Sequence, residues 1–426
     1  MTRLTFIGQI YVNLQTYQRQ MTLKEIRSQF PILDTRVYGK ALVYLDNAAS
    51  AQRPQAVVDC WTQLVHEANA NIHRAVHALS SHATEAYEST RDAVRAFLNA
   101  EAREEIVFTS GATAAINLLA FSFGEAFVQE GDEILVSVAE HHSNIVPWQM
   151  LCERKKAQLK VLDIAPDGSW QLEQLESLLG KRTKIVAISH ISNVLGLVNP
   201  VREICDICHR HGIPVLVDGA QGVVHEKVDV QALDCDFYAF SGHKLYAATG
   251  TGVLYGKRKW LDALPPYMGG GEMIQTVRFS GTTYAPVPQK FEAGTQNFNA
   301  IPTLVPAIAF AEACRQCPEV AAEQEAILDY VYRKLTEDER ITLYGVPRGT
   351  KVPLFSFAVQ GAHHEDLALI LDKMGIALRS GQMCAEPLMD RLGVTGLLRA
   401  SFAPYNTLQE AEYFVKCLDK AINMLI

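Results

Sequence analysis

The stretch "DFYAFSGHKLYAATGTGVLYGK", residues 236–257, carries one lysine, Lys244, between a strand-like run and a run of small residues. Lysine is among the residue types least often fully buried, yet "FYAFS" reads as an interior strand that delivers this one into a turn. In a poorly solvated site, a lysine loses proton affinity and becomes an amine nucleophile able to form a Schiff base. The ordinary alternative is a packed stem with the ammonium reaching solvent. Ser241 and His243 beside it suit phosphate oxygens, and the small residues that follow, with Gly250 and Gly252 among them, suit the approach of a flat ligand.

Outward from this stretch, strand-like runs alternate with helical patterns from about residue 85 to 260. "EEIVFTS" (104–110), "DEILVSV" (132–138), "QLKVLDI", "KIVAISH" and "IPVLVDG" are separated by segments such as "GATAAINLLAFSF" and "PVREICDICHRHG". That alternation implies right-handed crossovers and a mainly parallel sheet covered on both faces, an α/β fold. Ligands of such sheets sit beyond the carboxyl ends of the strands. Thr113, His141, Asn193, Asp218 and Lys244 each follow or end one strand, and five such positions point to a single pocket.

After about residue 300 the pattern becomes a smaller α+β domain, with helices at "AILDYVYRKLTE" and "HHEDLALILDKMG" and strands at "VPLFSFAVQ", "IALRS" and "LLRASFA". The last helix carries Leu408, Ala411, Val415, Leu418, Ile422 and Leu425 at a 3.6-residue period. The expected divisions are a disordered N-terminal extension over 1–20, a segment over 21–35 packing with the small domain, a large domain over 36–300 and a small one over 301–426.

Composition narrows the function. Of 426 residues, 48% are hydrophobic and 20% charged, as in ordinary globular proteins. A net charge of −8 with no basic stripe argues against nucleic-acid binding. No apolar run approaches the roughly 18 residues that would span a bilayer. Nine scattered cysteines, an odd number, with no secretory signal read as a reducing, cytoplasmic setting.

Asp218, 26 residues before Lys244, is either a helix N-cap or, paired with a Schiff-base lysine, the partner of the pyridinium nitrogen of pyridoxal 5'-phosphate. Gln221 could then meet the ring's phenolic oxygen. Gly111, Ala112 and Thr113 open a helix whose free N–H groups suit a phosphate, and His141 of "EHHSN" could stack on the ring. Cys384 lies in the polar loop "LRSGQMCAEP", with Arg379 and Arg399 on adjacent expected strands as a clamp for an amino-acid carboxylate. Two cysteine pairs compete for attention. "CDICH" (205–209) matches a haem-attachment pattern and "CRQC" (314–317) a half zinc site, but both fall inside helical runs and read as core-side residues; no metal is expected.

Together "DGAQ", "FSGHKLY", "EHHSNIVPW", "FEAGT" and "LRSGQMCAEPLM" resemble the Suf/Csd-type cysteine desulfurases, from about residue 22 to 426. The tail "LGVTGLLRASFAPYNT" leans to the Csd-type branch. The resemblance implies the aspartate-aminotransferase fold (pyridoxal-phosphate fold type I, a seven-stranded sheet) and conversion of L-cysteine to L-alanine with a persulfide on Cys384. It implies that Lys244 tethers the cofactor and moves protons, His141 stacks on the ring, Asp218 pairs with its nitrogen and Gln221 meets its phenolate. Thr113, Ser241 and His243 would hold the phosphate, with Thr295 reaching in from the second subunit of a homodimer. Asn193 and Arg399 would bind the substrate carboxylate, and His73 and Arg74 match a segment near the active site. The resemblance further implies sulfur supply to iron–sulfur cluster assembly or related pathways, delivery to a small sulfur-acceptor protein, and action on selenocysteine. Three departures stand out: Ser110-Gly111-Ala112-Thr113 replaces the family's Arg-Gly-Thr-Thr, Ala247-Ala248-Thr249-Gly250 replaces Gly-Pro-Thr-Gly, and Met383 replaces a histidine. The rival readings are another reaction on the same fold (transamination, or a kynureninase-like or epimerase-like one) and a redox or metal protein using the C-x-x-C pairs.

Overall fold

A computed structural model describes residues 21–346 and 348–426; the extension expected over 1–20 lies outside the described residues. Seven strands form the central sheet: β1 (Ile106–Thr109), β2 (Glu133–Ser137), β3 (Gln158–Leu162), β4 (Thr183–Ser189), β5 (Val215–Asp218), β6 (Phe237–Ser241) and β7 (Gly252–Gly256), in the order β1-β7-β6-β5-β4-β2-β3. All neighbours are parallel except β7, which runs antiparallel to both β1 and β6. Burial on both faces explains the near-continuous apolar runs. Successive residues nonetheless serve opposite faces: Val186, Ile188, Val215, Val217 and Tyr238 join one core layer, while Ile185, Ala187, Leu216, Phe237 and Ala239 join the other.

The bare backbone after Lys244 turns out to serve packing. A Cβ on Gly252 would stand 2.4 Å from the Cα of Gly111, so glycine there lets β7 start directly against the turn that opens helix Ala112–Phe127. Gly250, with φ +79°, makes the preceding turn and faces a different cleft from Lys244. The expectation that these glycines admit a flat ligand is therefore corrected: they admit backbone.

The small domain is a four-stranded antiparallel sheet, β8 (Ile341–Tyr344), β9 (Leu354–Val359), β10 (Arg379–Gly381) and β11 (Leu397–Ser401), in the order β8-β9-β11-β10. Helices Pro318–Glu337, His364–Lys373 and Leu408–Leu425 cover it with Ile327, Val331, Leu367, Phe414 and Ile422 among others. The buried stripe of the last helix is centred on Ala411, Phe414, Leu418 and Ile422, and Leu425 is exposed at the chain end.

The chain crosses between the two bodies more often than the sequence boundaries imply. Val43–Tyr44, expected in the large domain, pairs in parallel with Ile376–Ala377 of the small one. The expected strand "IALRS" is thereby split, its first half serving this pair and its second half forming β10. Helix Leu304–Arg315, expected in the small domain, buries Leu304, Ile308 and Phe310 in the large core. The 21–35 segment bridges both: Phe30 packs on Phe310 and Tyr405, and Arg27 pairs with Glu410 at 2.7 Å. The C-x-x-C pairs sit as core residues, with Cys205, Cys208, Cys314 and Cys317 all buried, and burial pushes the Cys208 thiol up to about 12. Among the described residues, no helix is long and apolar enough to cross a membrane.

Candidate active site

A cleft of about 190 Å3 opens beyond the carboxyl ends of the sheet strands and is closed from the other side by the small domain. Of the residues singled out in the sequence, Thr113, His141, Asn193, Asp218, Gln221, Ser241, His243, Lys244, Arg379, Cys384 and Arg399 all line it. Thr295, His73 and Arg74 do not. Thr295 is exposed beside a neighbouring cleft with Ser110 and Gly250. His73 binds Glu88 at 3.1 Å, and Arg74 pairs with Glu272 at 2.8 Å.

On the floor, burial lowers the proton affinity of the Lys244 amine; Asp218 opposes that shift and Arg399 adds to it. Burial raises the Asp218 carboxyl, held in check by Lys244 and by the Ala220 N–H that donates to its Oδ1 at 3.0 Å. Gln221 donates to the Ala48 carbonyl at 2.8 Å. His141 caps the short turn His142–Asn144, and the Ser143 N–H donates to its Nδ1 at 3.1 Å. Nε2 therefore carries the proton, and the ring is neutral because burial, with Lys244 nearby, pulls it down to about 3. His243 is likewise neutral, pulled down to about 4 by burial. Ser241 accepts the Ala112 N–H at 2.8 Å, fixing the start of helix Ala112–Phe127 beside β6.

On the roof, Arg379 and Arg399 are direct cross-strand partners. Arg399 is buried and donates to the Asn193 carbonyl at 3.0 Å and to Asp46 at 3.2 Å, while its Nε has no partner. A buried guanidinium with an unused N–H awaits an acceptor. Cys384 is the exposed cysteine, and it shares with Met383 the left-handed conformation, φ 55° at both. Two consecutive non-glycine residues there are strained, and four contacts hold them. Asn193 donates to the Met383 carbonyl at 2.9 Å, the His142 N–H donates to the Cys384 carbonyl at 2.7 Å, and the Glu386 N–H donates to His142 Nε2 at 3.0 Å. The Met383 side chain is buried with Ala139, Val194 and Leu388. Where the family has a histidine, this chain thus has an apolar anchor for the loop.

Three residues escaped the sequence reading. His142 clamps the Cys384 loop; the doubled histidine of "EHHSN" was its only signal. Asp46 orients Arg399 from just beyond the Val43–Tyr44 strand, a segment expected in the large domain. Glu140 is fully buried, accepting from Ser137 at 2.5 Å and Asn144 at 2.8 Å, and thereby ties the ends of β2 and the His142–Asn144 turn together.

The donor set suits pyridoxal phosphate: a desolvated amine, a buried carboxylate, a neutral imidazole and a helix N-terminus converge on one cleft. Comparison with known proteins agrees. The chain matches the class-V aminotransferase family over residues 43–414. It is 48% identical to a cysteine desulfurase of Enterobacter sp. (strain 638) and 46% identical to one of Cronobacter sakazakii, each alignment covering 95% of this chain and 99% of the relative. Among solved structures, the Escherichia coli cysteine desulfurase CsdA in its S-sulfonic acid form superposes with a TM-score of 0.87 at 38% identity. The apo enzyme of Thermococcus onnurineus NA1 does so with 0.89 at 34%. Both alignments cover 96% of this chain and 100% of the other. With its lysine, carboxylate and imidazole on the sheet and its one exposed cysteine facing them, the chain belongs to the class-V aminotransferase family and, within it, to the pyridoxal-phosphate-dependent cysteine desulfurases.

Proposed function

We propose that the protein takes sulfur from L-cysteine, releases L-alanine and holds the sulfur as a persulfide on Cys384 for iron–sulfur cluster assembly or a related use. The observation that carries this reading is the placement of an exposed thiol, on a strained and clamped loop, in the same cleft as Lys244 and Arg399.

Lys244, Asp218, Gln221, His141, Ser241, His243 and Thr113 would hold the cofactor, which when bound would supply an aldehyde for amines and an electron-poor ring that takes up charge from the substrate α-carbon. Asp218 places its carboxyl at the buried end of the cleft, and His141 offers the cofactor a flat neutral face. Arg399 binds the substrate carboxylate through its free Nε, with Arg379 and Asn193 beside it. Lys244 has a weakened hold on its proton and so can take one from the α-carbon region and return it. Cys384 attacks the substrate sulfur as a thiolate: an S–S bond forms, the substrate C–S bond breaks, and that bond's electron pair stays on carbon, where a proton completes alanine. Lys244 and Arg399 are the cationic side chains that face Cys384 across the cleft. The persulfide is a reversible cap that another thiol removes. An exposed loop supports handing it to a small acceptor protein, and the same geometry serves selenocysteine.

A homodimer is supported by Thr295, His73 and Arg74, which lie outside the cleft of their own chain, and by the exposed Val76, Val277 and Phe279. Free cysteines throughout the described residues support a cytoplasmic setting. The test is product analysis with L-cysteine: alanine and sulfide form in equal amounts when a reducing thiol is present. Mercaptopyruvate, or racemised cysteine, with no sulfide would point instead to the transaminase-like or epimerase-like rival.

A further inference from the structure

A second cleft of about 290 Å3 lies behind the active site, between the large core and the small domain, and shares no residue with the first. Tyr246, Arg315 and Lys351 line it. Tyr246 is 1% exposed and its hydroxyl has no hydrogen-bond partner; the Arg315 Nε is buried without one as well. The Arg315 guanidinium donates through Nη2 to the Val223 carbonyl at 2.5 Å and lies 5.3 Å from the centre of the Phe97 ring. Glu312 and Glu226 reach it only by longer-range attraction. Lys351, 5% exposed, donates to the Leu195 carbonyl at 2.6 Å and more weakly to that of Tyr344 at 3.4 Å, which leaves one N–H. Glu325 also borders the cleft, but its carboxylate is held by Arg348 at 2.6 Å.

A guanidinium does not shed its proton in a protein, and a buried charge with no counter-charge is expensive to keep. Water in the cleft would satisfy the Tyr246 hydroxyl but would not neutralise the charge. Lys351 differs, because burial pushes its amine down to about 7 and so lets it give up its proton instead of seeking a counter-charge. The Tyr246 hydroxyl and the Arg315 Nε both lack a partner in this cleft, and the one carboxylate on its border, Glu325, is already paired with Arg348. We propose that this cleft binds a small oxyanion, a carboxylate or a phosphate, through the Arg315 Nε and the Tyr246 hydroxyl.

The site is placed to matter. Tyr246 is two residues from Lys244 and packs its ring on Phe310 at 4.9 Å. Lys351, Val352 and Pro353 line the cleft and lead into strand β9, which pairs with the Arg399 strand. A bound anion therefore ties the cofactor-lysine turn to the small domain that carries Cys384.

Binding of inorganic phosphate and of malonate to the cofactor-loaded enzyme, measured by calorimetry at constant ionic strength, tests this. Loading fills the active-site phosphate position, and only binding that Arg315→Met removes counts toward the second site. The expected result is one anion per protomer, weakened about tenfold or more in Arg315→Met, partly restored in Arg315→Lys and weakened severalfold in Tyr246→Phe. Preference for phosphate or for malonate identifies the source of the oxyanion. Failure of both anions to bind, which leaves the cleft to water, would overturn the proposal, as would unchanged binding in the variants. If Arg315→Met does not fold, Tyr246→Phe decides by the same criterion.

Discussion

Lys244 and Cys384 face one cleft but are built in opposite ways. Lys244 follows β6, a strand buried along its whole length, and its acidity is set by what surrounds it: desolvation, Asp218 and Arg399. Cys384 stands exposed on a loop of two left-handed residues, and its position is set by a few hydrogen bonds to the loop backbone. Chemistry that needs an altered pKa is placed in the rigid core, where burial is available. Chemistry that must be handed to another molecule is placed on the surface, where strain and clamps substitute for burial.

The largest expected effect separates the two by removing each reactive group in turn. Lys244→Ala should lower turnover by at least about 10³-fold, in the range that a positioned proton-transfer group contributes, and should abolish fixation of the cofactor to the protein by borohydride. Cys384→Ser should abolish sulfide release to a comparable degree while leaving borohydride fixation intact. Absorbance and mass spectra of the two proteins read the distinction directly. If Cys384→Ser also lost cofactor attachment, the division of labour between floor and roof would be wrong.

That division also governs what could be read from sequence. The floor was legible because a parallel sheet puts the residue after each strand at one edge, so Thr113, His141, Asn193, Asp218 and Lys244 could be placed by counting strands. The roof was legible only in part. Arg379 and Arg399 could be put on neighbouring strands, but Asp46, which orients Arg399, arrives just after a two-residue strand more than 300 residues earlier that no local pattern links to the small domain. His142 was overlooked since its role is to accept one backbone N–H from Glu386, a contact that carries no periodicity. The glycines after Lys244 were read for the right property, a bare backbone, and assigned the wrong neighbour, because the approach of β7 to Gly111 depends on sheet order rather than on sequence order.

The clamp itself gives the next prediction. His142→Ala removes the acceptor for the Glu386 N–H and leaves the backbone bond to Cys384 in place. A hydrogen bond of about 1 to 1.5 kcal/mol that holds a strained loop corresponds to roughly a tenfold loss in kcat if the loop must be in this conformation to react. Cysteine binding runs through Arg399 and should change little, so KM stays near its original value. A rise in KM with kcat unchanged would mean that His142 serves the floor, and the contrast between floor and roof would have to be redrawn.

The smallest effect concerns Glu140, which joins the two regions from beneath. Burial pushes its carboxyl up from an ordinary 4.5 to about 7, against the hydrogen bonds from Ser137 and Asn144. The folded protein thus holds this proton more tightly than the unfolded chain, so Glu140 contributes stability that is complete below about pH 4.5 and is lost as the pH climbs toward 7. The full loss is on the order of 3 kcal/mol. His141, pulled down to about 3, and His190 and His243, each to about 4, run the other way, gaining stability as the pH rises toward their ordinary 6.5. In the native protein these trends partly cancel, and only a difference exposes the carboxyl. Glu140→Gln cannot titrate, so urea unfolding of the variant at pH 5, 6 and 7 should gain stability relative to the native protein at each step. The amide keeps both contacts, its oxygen accepting from Asn144 and its N–H2 donating to the Ser137 hydroxyl, so the offset between the curves is small. Parallel curves would show that Glu140 is already ionised at pH 5 and that the pedestal beneath His141 and His142 is a charged one.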